Sequence, residues 1–210
     1  MVKRSGFLLV LSGPSGAGKN TVLNATMQLR NDLVYSVSAT SRPRRPHEQD
    51  GVDYFFLTPE EFERRIRTNE FLEWAEYCGY RYGTPRSFVE KSLQDGYVVV
   101  MDVDIQGARQ IKERMPNAIF VFLLPPTLDE LESRLRGRRT DSDDAISRRL
   151  QAAYDELRAG VDYDYAIVNN KVEDAAAQLS AIITAEKCRI HRTEYFSLMS
   201  EIIGKEVNTI

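Results

Sequence analysis

The sequence has few of the features that mark disulfide-stabilised, membrane-spanning and polyanion-binding proteins. Its two cysteines, Cys78 and Cys188, lie far apart and match no disulfide framework or metal-ligand spacing. Lys and Arg number 28 against 31 Asp and Glu, and the net charge of -3 argues against broad binding to nucleic acid or to a membrane surface. No apolar run is long enough to cross a bilayer. We therefore expect a protein of the reducing cytoplasm.

The apolar residues are instead concentrated in short runs. These runs do not alternate with polar residues, which is typical of strands buried on both faces of a parallel sheet. They cover residues 7–11, 97–103, 118–124 and 165–168. Helical stretches follow the first three, and this order predicts an α/β fold with a parallel sheet flanked by helices. The length of 210 residues suits one domain of this kind.

The pattern changes between residues 35 and 96, where short aromatic segments partly alternate with polar residues. This predicts an antiparallel sheet interrupted by two helices, one opening at Thr58-Pro59 and the other at Thr84-Pro85. We predict an inserted α+β lobe over about 35–96. The predicted core is formed by residues 1–34, 97–130 and 150–210.

Charged residues dominate the segment from Arg134 to Arg149, which reads RLRGRRTDSDDAISRR. A fixed wall of a site is rarely so polar, so we predict a mobile lid over about 131–149. Its arginines could act on a bound anion, or could pair with the aspartates of the same segment at the surface.

A phosphate-binding loop is predicted between the first strand and the first helix. GPSGAGKNT places Gly13, Gly18 and Lys19 in the spacing Gly-x4-Gly-Lys directly after a buried apolar run. Glycines let main-chain N–H groups converge, the helix N-terminus adds partial positive charge, and the lysine neutralises the outer phosphates. The strand and the lysine favour this interpretation over a plain glycine turn. The predicted ATP-contacting residues are Gly13, Pro14, Ser15, Gly16, Ala17, Gly18, Lys19, Asn20 and Thr21.

Asn20 departs from the usual form of such a loop, in which a Ser or Thr hydroxyl at this position binds Mg²⁺. Its amide carbonyl is also a hard oxygen ligand and could reach the ion directly or through a water. Thr21 does not easily replace it, because the next helical residue points about 100° away. We predict altered metal geometry with phosphate binding retained; the alternative is lost catalysis.

An arginine-rich stretch of the predicted lobe forms a second candidate anion site. SATSRPRRPHEQDGVDYFFL concentrates Arg42, Arg44 and Arg45 near Tyr54 in an otherwise acidic protein. Guanidinium groups bind phosphate in bidentate fashion, and a phenol adds a neutral donor. Three arginines are too few for a nucleic-acid surface, so one small phosphate is the favoured ligand over a solvated basic loop.

This stretch resembles the guanylate kinase signature at every defined position. The matching residues read Thr40-Ser41-Arg42-x-x-Arg45-x-x-Glu48-x-x-Gly51-x-x-Tyr54-x-Phe56-Leu57. With the glycine loop and the segments FLEWAEY, YRYGT, DVDIQG, PPT and GRRT…RRL, the resemblance extends from about Gly6 to Ile183. It implies a P-loop NTPase-type fold in which the core holds ATP, the lobe holds GMP and the lid closes over both. It also implies phosphoryl transfer from ATP to GMP or dGMP, with Mg²⁺ as cofactor, in purine metabolism.

The resemblance assigns roles to the residues at matching positions. The GMP-binding residues implied in this way are Ser38, Arg42, Arg45, Tyr54, Glu73, Tyr82, Thr84 and Asp104. Glu73 would accept from N1–H and the exocyclic amine of guanine, and the Thr84 hydroxyl would donate to O6. Adenine presents an acceptor at N1, so a buried Glu73 would discriminate against it. The alternatives are a surface carboxylate for Glu73 and core packing for the tyrosines.

The implied catalytic residues are Lys19, Arg138 and Arg149, with Arg139 and Arg148 as further candidates. The phosphate of GMP is already an anionic nucleophile, so charge neutralisation matters more than a general base. Asn169, after the last apolar run, would contact the adenine edge of ATP. Asp102, at the carboxyl end of a predicted strand, would hold Mg²⁺ together with Asn20, directly or through water, or would orient GMP.

The sequence leaves two other functions possible. One is a catalytically silent guanylate-kinase-like binding module, although such modules typically degrade the glycine loop and Lys19 is present here. The other is a kinase for a different phosphorylated acceptor, such as a ribosyl phosphate, against which Glu73 and Thr84 argue. No nucleic-acid or membrane partner is expected, and the sequence does not indicate an oligomeric state.

Overall fold

The computed structural model describes residues 6–77, 79–137, 143–193 and 195–204. The strands in chain order are β1 (Phe7–Ser12), β2 (Leu33–Tyr35), β3 (Ala39–Thr40), β4 (Phe55–Phe56), β5 (Phe71–Tyr77), β6 (Tyr80–Pro85), β7 (Val98–Asp102), β8 (Ile119–Leu124) and β9 (Tyr165–Val168). The helices are α1 (Lys19–Leu29), α2 (Pro59–Arg67), α3 (Arg86–Gln94), α4 (Ile105–Arg114), α5 (Leu128–Gly137), α6 (Asp143–Ala159), α7 (Val172–Lys187) and α8 (Tyr195–Ile203). In these ranges no helix has the length and hydropathy needed to cross a membrane.

A parallel sheet forms the core, with the strand order β2-β7-β1-β8-β9. Each neighbouring pair runs parallel. All residues of β1 are buried, because one face of the sheet packs against α1 and α7 and the other against α4. The four predicted apolar runs are therefore confirmed as strands, and the α/β fold class with them. The three-residue strand β2 was not predicted, because LVY is too short to give a periodic signal.

The lobe contains a second, mixed sheet with the order β4-β3-β6-β5. β6 pairs antiparallel with both β3 and β5, as expected from the alternation. β3 and β4 pair parallel, so the prediction of a purely antiparallel sheet was wrong for this pair. The cause is the long arginine-rich connection 41–54, which returns the chain to the start of β4 in the direction of β3, as parallel neighbours require.

The two lobe helices differ in how they begin. Thr58 caps α2, because its hydroxyl accepts a hydrogen bond from the Glu61 main-chain N–H at 3.2 Å, and Pro59 is the first helical residue. The predicted start of the other helix at Thr84-Pro85 is shifted: β6 continues through Pro85, and α3 begins at Arg86. Thr84 therefore belongs to a strand, which determines where its hydroxyl points.

The segment predicted as a lid contributes to a small apolar cluster. Leu131 and Leu135 of α5 pack against Ala153 of α6, and all three side chains are buried. The start of the segment is thus packed against the part of α6 that follows the segment, and residues 138–142 lie outside the described residues.

Candidate functional site

The glycine loop lies between β1 and α1, and its glycines are required by close packing. Gly13, Gly16 and Gly18 have φ angles of 151°, 96° and 93°. A Cβ at Gly13 would lie 2.2 Å from the Leu123 carbonyl oxygen, and one at Gly18 would lie 2.4 Å from Asn169 Nδ2. The loop therefore fits tightly against the carboxyl ends of β8 and β9, where only glycine can follow this path.

Lys19 begins α1 and folds back over the loop. Its ammonium group donates to the Gly13 carbonyl oxygen at 2.7 Å and lies 3.8 Å from Asp102 Oδ1. Burial raises the pKa of Asp102 above its ordinary value, although the charge of Lys19 opposes that rise. The lysine is thus held beside the loop, as a group that neutralises phosphate charge must be.

Asn20 and Asp102 border the same recess. This cavity of about 210 Å³ lies beside the glycine loop and is lined by Ser15, Gly16, Gly18, Lys19, Asn20, Thr21 and Asp102. It offers an amide and a carboxylate oxygen, the hard donors that Mg²⁺ uses when phosphates and waters supply its other ligands. The described residues contain no cluster of three or more His, Cys, Asp or Glu side chains that could bind a metal without substrate.

Asn169 follows β9 and is tied to the glycine loop. Its Nδ2 donates to the Ala17 carbonyl oxygen at 2.8 Å, while its buried Oδ1 has no hydrogen-bond partner within the described ranges. A buried acceptor without a partner is costly, and an exocyclic amine of a base could supply the missing donor.

Arg134 of α5 was not predicted as a site residue. Its guanidinium donates to the Asn169 carbonyl oxygen at 3.2 Å and pairs with Glu130 at 2.9 Å, which places a cation at the border of the loop. The signal was its place as the first arginine of RLRGRR, but pairing with a surface carboxylate explains every arginine of that run equally well.

Arg42 lies at the start of the connection between β3 and β4 and is held by Glu48. Both guanidinium NH2 groups donate to the Glu48 carboxylate, at 3.0 and 2.7 Å, and the Arg45 main-chain N–H donates to the same carboxylate at 2.8 Å. These bonds lower the pKa of Glu48 to about 2, with Arg42 as the main cause. The Arg45 side chain itself is exposed.

Aromatic rings flank Arg42. Its guanidinium carbon lies 5.6 Å from the centre of the Tyr54 ring, and the Tyr54 and Tyr82 rings meet edge to face at 5.9 Å. Interaction with Glu48, and to a smaller extent with Tyr82, raises the pKa of Arg42. The predicted phosphate-binding group of Arg42, Tyr54 and Tyr82 is therefore assembled around one guanidinium.

Glu73 of β5 and Thr84 of β6 form a buried pair. The Thr84 hydroxyl donates to Glu73 Oε1 at 2.7 Å, and the two side chains are 0% and 5% exposed, respectively. Burial raises the pKa of the Glu73 carboxyl to about 7, although the Thr84 hydroxyl opposes the rise. The alternative of a surface carboxylate is thus wrong for Glu73. Asp104 lies nearby and caps α4, accepting from the Gly107 N–H at 2.8 Å.

One cavity joins the loop and the lobe. It has a volume of about 440 Å³. Its lining includes the predicted residues Gly13, Ser15, Lys19, Ser38, Tyr54, Glu73, Tyr82, Asp102 and Asp104. The predicted residues Arg42, Arg45 and Thr84 are not part of this lining, and Thr84 is fully buried.

Glu156 of α6 also lines this cavity and was not predicted. Burial raises the pKa of its carboxyl, while the charge of Lys19 and the Ser15 N–H act in the opposite direction. Nothing in the sequence around it, YDELR, distinguishes this glutamate from a solvent-exposed residue of a polar helix.

The predicted lid arginines have side chains outside the part of the protein that the structure describes. Arg138 and Arg139 lie outside the described residues, and the side chains of Arg148 and Arg149 on α6 are outside the described set as well.

The chain is similar to guanylate kinases over most of its length. Residues 5–186 match the family model described as guanylate kinase. The chain is 44% identical over 204 residues to the guanylate kinase of Caldanaerobacter subterraneus subsp. tengcongensis, covering 96% of this chain and 99% of that protein. It is 49% identical over 191 residues to that of Lactococcus lactis subsp. lactis, covering 91% and 93%. The crystal structure of guanylate kinase from Anaplasma phagocytophilum aligns over 100% of both chains with a TM-score of 0.78 at 33% identity.

Proposed function

The chain belongs to the guanylate kinase family, and we propose that it transfers the γ-phosphoryl group of ATP to GMP or dGMP within the cavity between loop and lobe. It is an enzyme, a nucleoside monophosphate kinase that converts ATP and GMP to ADP and GDP. The observation that carries the assignment of the site is that Lys19 of the glycine loop and Glu73 of the lobe line one cavity. In-line transfer requires donor and acceptor phosphates to meet in a single enclosed space.

ATP binds at the glycine loop in this proposal. The main-chain N–H groups from Gly13 to Gly18 and the ammonium of Lys19 hold the β- and γ-phosphates, and Lys19 spreads the charge of the transferring group. The unpartnered Oδ1 of Asn169 accepts from the adenine amine. Arg138 and Arg149 of the lid segment, which lie in the matched motif GRRT…RRL, supply further positive charge in this proposal.

GMP binds in the lobe. Its phosphate is held by Arg42, Arg45, Tyr54, Tyr82 and Ser38. To bind the phosphate, Arg42 must share its donors between the phosphate and Glu48, with which it is paired at 2.7 Å. Asp104 lies beside the nucleoside.

Glu73 reads the guanine edge by accepting from N1–H and the exocyclic amine. The single hydroxyl proton of Thr84 is used by Glu73 in this structure, so Thr84 orients that carboxylate in our proposal. This refines the expectation that Thr84 donates to O6.

Kinases of this family generally use a divalent metal with ATP, and the donors at the recess suit Mg²⁺. Asn20 and Asp102 would hold it, directly or through water, beside the phosphates. When bound, the ion neutralises charge on the phosphate oxygens. The protein itself binds the loop-side phosphates and orients the two nucleotides. Cytoplasmic location stays a prediction from the composition.

The alternatives of a silent binding module and of a different acceptor are not favoured. A steady-state assay of ADP release with GMP, dGMP, AMP, UMP and ribose 5-phosphate as acceptors tests the proposal. We expect turnover with GMP and dGMP, and rates lower by about 10⁴-fold or more with AMP, which offers Glu73 a lone pair at N1. Tight GMP binding without turnover would establish a module, and comparable turnover with ribose 5-phosphate would contradict base recognition.

A further inference from the structure

The strand that carries Glu73 is irregular at this residue. β5 pairs with β6 at Phe71 opposite Pro85 and again at Trp74 opposite Gly83, so β5 has one extra residue between these positions. Such a bulge re-aims side chains and leaves main-chain groups without strand partners. β5 is also the edge strand of the lobe sheet, and in the described residues no further strand covers its outer side.

Side chains of the core helix α4 take the place of that missing strand. The Gln110 carboxamide donates through Nε2 to the Trp74 carbonyl oxygen at 2.8 Å and accepts through Oε1 from the Trp74 N–H at 3.3 Å. Arg114, one turn later on the same helix face, donates to the Leu72 carbonyl oxygen. Both main-chain groups of Trp74 are thus bound by one amide, as they would be by a neighbouring strand.

These contacts hold the two peptide planes that flank Glu73. The Leu72 carbonyl belongs to the plane before the Cα of Glu73 and is held by Arg114. The Trp74 N–H belongs to the plane after it and is held by Gln110. Because each peptide is planar, fixing both planes fixes φ and ψ of Glu73, and with them the direction of its side chain. The carboxylate end is confined as well, because it packs closely against Gly107 of α4. A Cβ added at this glycine would lie only 3.0 Å from Glu73 Oε2.

From this arrangement we infer that Gln110, which does not line the cavity, is a positioning residue for guanine recognition. It holds the bulge of β5 in the shape that directs the Glu73 carboxylate at the base. The inference rests on the proposed role of Glu73. A neutral amide suits the task because it can donate to the carbonyl and accept from the N–H of one residue, which a lysine or an arginine cannot do.

The test uses Gln110→Met, which keeps the length of the side chain and removes the amide. Acceptors are GMP and inosine monophosphate, which lacks the exocyclic amine. We expect the KM for GMP to rise on the order of tenfold and the GMP preference in kcat/KM to fall by a similar factor, because small displacements of a positioned group are costly. The KM for ATP should stay within about twofold, since Gln110 makes no contact with the glycine loop. Gln178→Met, the same change at an exposed position of α7, is the control.

A double-mutant cycle separates this inference from the proposed function. If Gln110 acts through Glu73, then Gln110→Met should change the base preference of a Glu73→Gln enzyme by less than about twofold. A loss of preference in Glu73→Gln with none in Gln110→Met overturns the inference alone. Unchanged preference in Glu73→Gln removes the role of Glu73 in reading the base, and the inference falls with it.

A third set of outcomes would show that Gln110 supports only the fold and does not position Glu73. Equal changes in the KM for GMP and ATP, or a lower unfolding temperature with unchanged kinetics, would contradict positioning. Should Gln110→Met not fold, Gln110→Glu keeps the acceptor for the Trp74 N–H but turns a charged acceptor oxygen toward the Trp74 carbonyl oxygen. This repulsive contact should also raise the KM for GMP with the KM for ATP unchanged, and no rise would overturn the inference.

Discussion

The glycine loop and the lobe hold their ligands by different means. Around the loop, main-chain N–H groups and the start of α1 supply the binding groups, and the geometry is set where Gly13 and Gly18 fit against β8 and β9. In the lobe, side chains supply the binding groups and are positioned by other side chains: Arg42 by Glu48, and Glu73 by Thr84. One site depends on the backbone path, and the other on chains of polar contacts.

This difference predicts how each site responds to substitution. A main-chain site tolerates most side-chain changes outside its glycines and Lys19, because its donors do not belong to side chains. A site made of paired side chains loses affinity when either member of a pair changes, since a buried partner left without its hydrogen bond is costly. Apart from the glycines and Lys19 of the loop, the lobe should therefore be the region more sensitive to substitution, and specificity should reside there.

The largest effect is expected for Lys19→Ala, which removes the positively charged side chain of the loop. Activity should fall by about 10³-fold, because a positive charge that stabilises the transferring phosphoryl group is lost. GMP affinity, measured by calorimetry, should be unchanged, since the lobe is intact. A residual activity within tenfold of the parent would show that the main-chain groups suffice.

A pH-dependent gain in stability is expected for Glu73→Gln. The folded pKa of Glu73 is about 7 against an ordinary value of 4.5, so the folded protein retains a proton that the unfolded chain releases. Stability of the parent therefore falls as the pH rises from about 4.5 to about 7. The free energy of unfolding of the variant minus that of the parent should therefore be about 3 kcal/mol larger at pH 8 than at pH 5. Denaturant titrations at the two pH values would measure this difference. A pH-independent difference would contradict burial of this charge.

A smaller effect is expected for Arg42→Ala, which should raise the KM for GMP on the order of 30-fold by removing charge-assisted bonds to the phosphate. The matched change Glu48→Gln keeps the shape of the partner and removes its charge, and it should raise the same KM by a smaller factor. Steady-state kinetics at saturating ATP decides between them. If Glu48→Gln had the larger effect, Arg42 would serve the fold rather than the phosphate.

The smallest effect is expected for Asn20→Ser, within about threefold of the parent in kcat, because a hydroxyl replaces an amide oxygen at a recess where phosphates and waters supply the remaining metal ligands. The Mg²⁺ concentration that gives half-maximal activity is the sensitive readout. An inactive Asn20→Ser enzyme would contradict the account of the recess.

The sequence was sufficient to predict the structure where a local pattern has one physical meaning. Buried runs such as 118–124 could only be strands of the parallel sheet, and the spacing of Gly13, Gly18 and Lys19 predicted the loop. It was insufficient where a contact depends on the three-dimensional course of the chain rather than on a local pattern. Arg42 and Glu48 both stand in the signature, but their pairing does not follow from it, and the contact of Gln110 with Trp74 has no local signal. Parallel pairing of β3 and β4 depended on the course of a long connection that carries no periodicity.

The central claim is that one cavity receives both nucleotides. A two-headed ligand, adenosine and guanosine joined by five phosphates, tests it most directly in competition calorimetry. We predict that one molecule per chain displaces both ATP analogue and GMP, with an affinity above that of either nucleotide by about 10²-fold or more, because the second contact is intramolecular. Displacement of only one nucleotide, or an affinity no higher than that of ATP or GMP alone, would contradict the account.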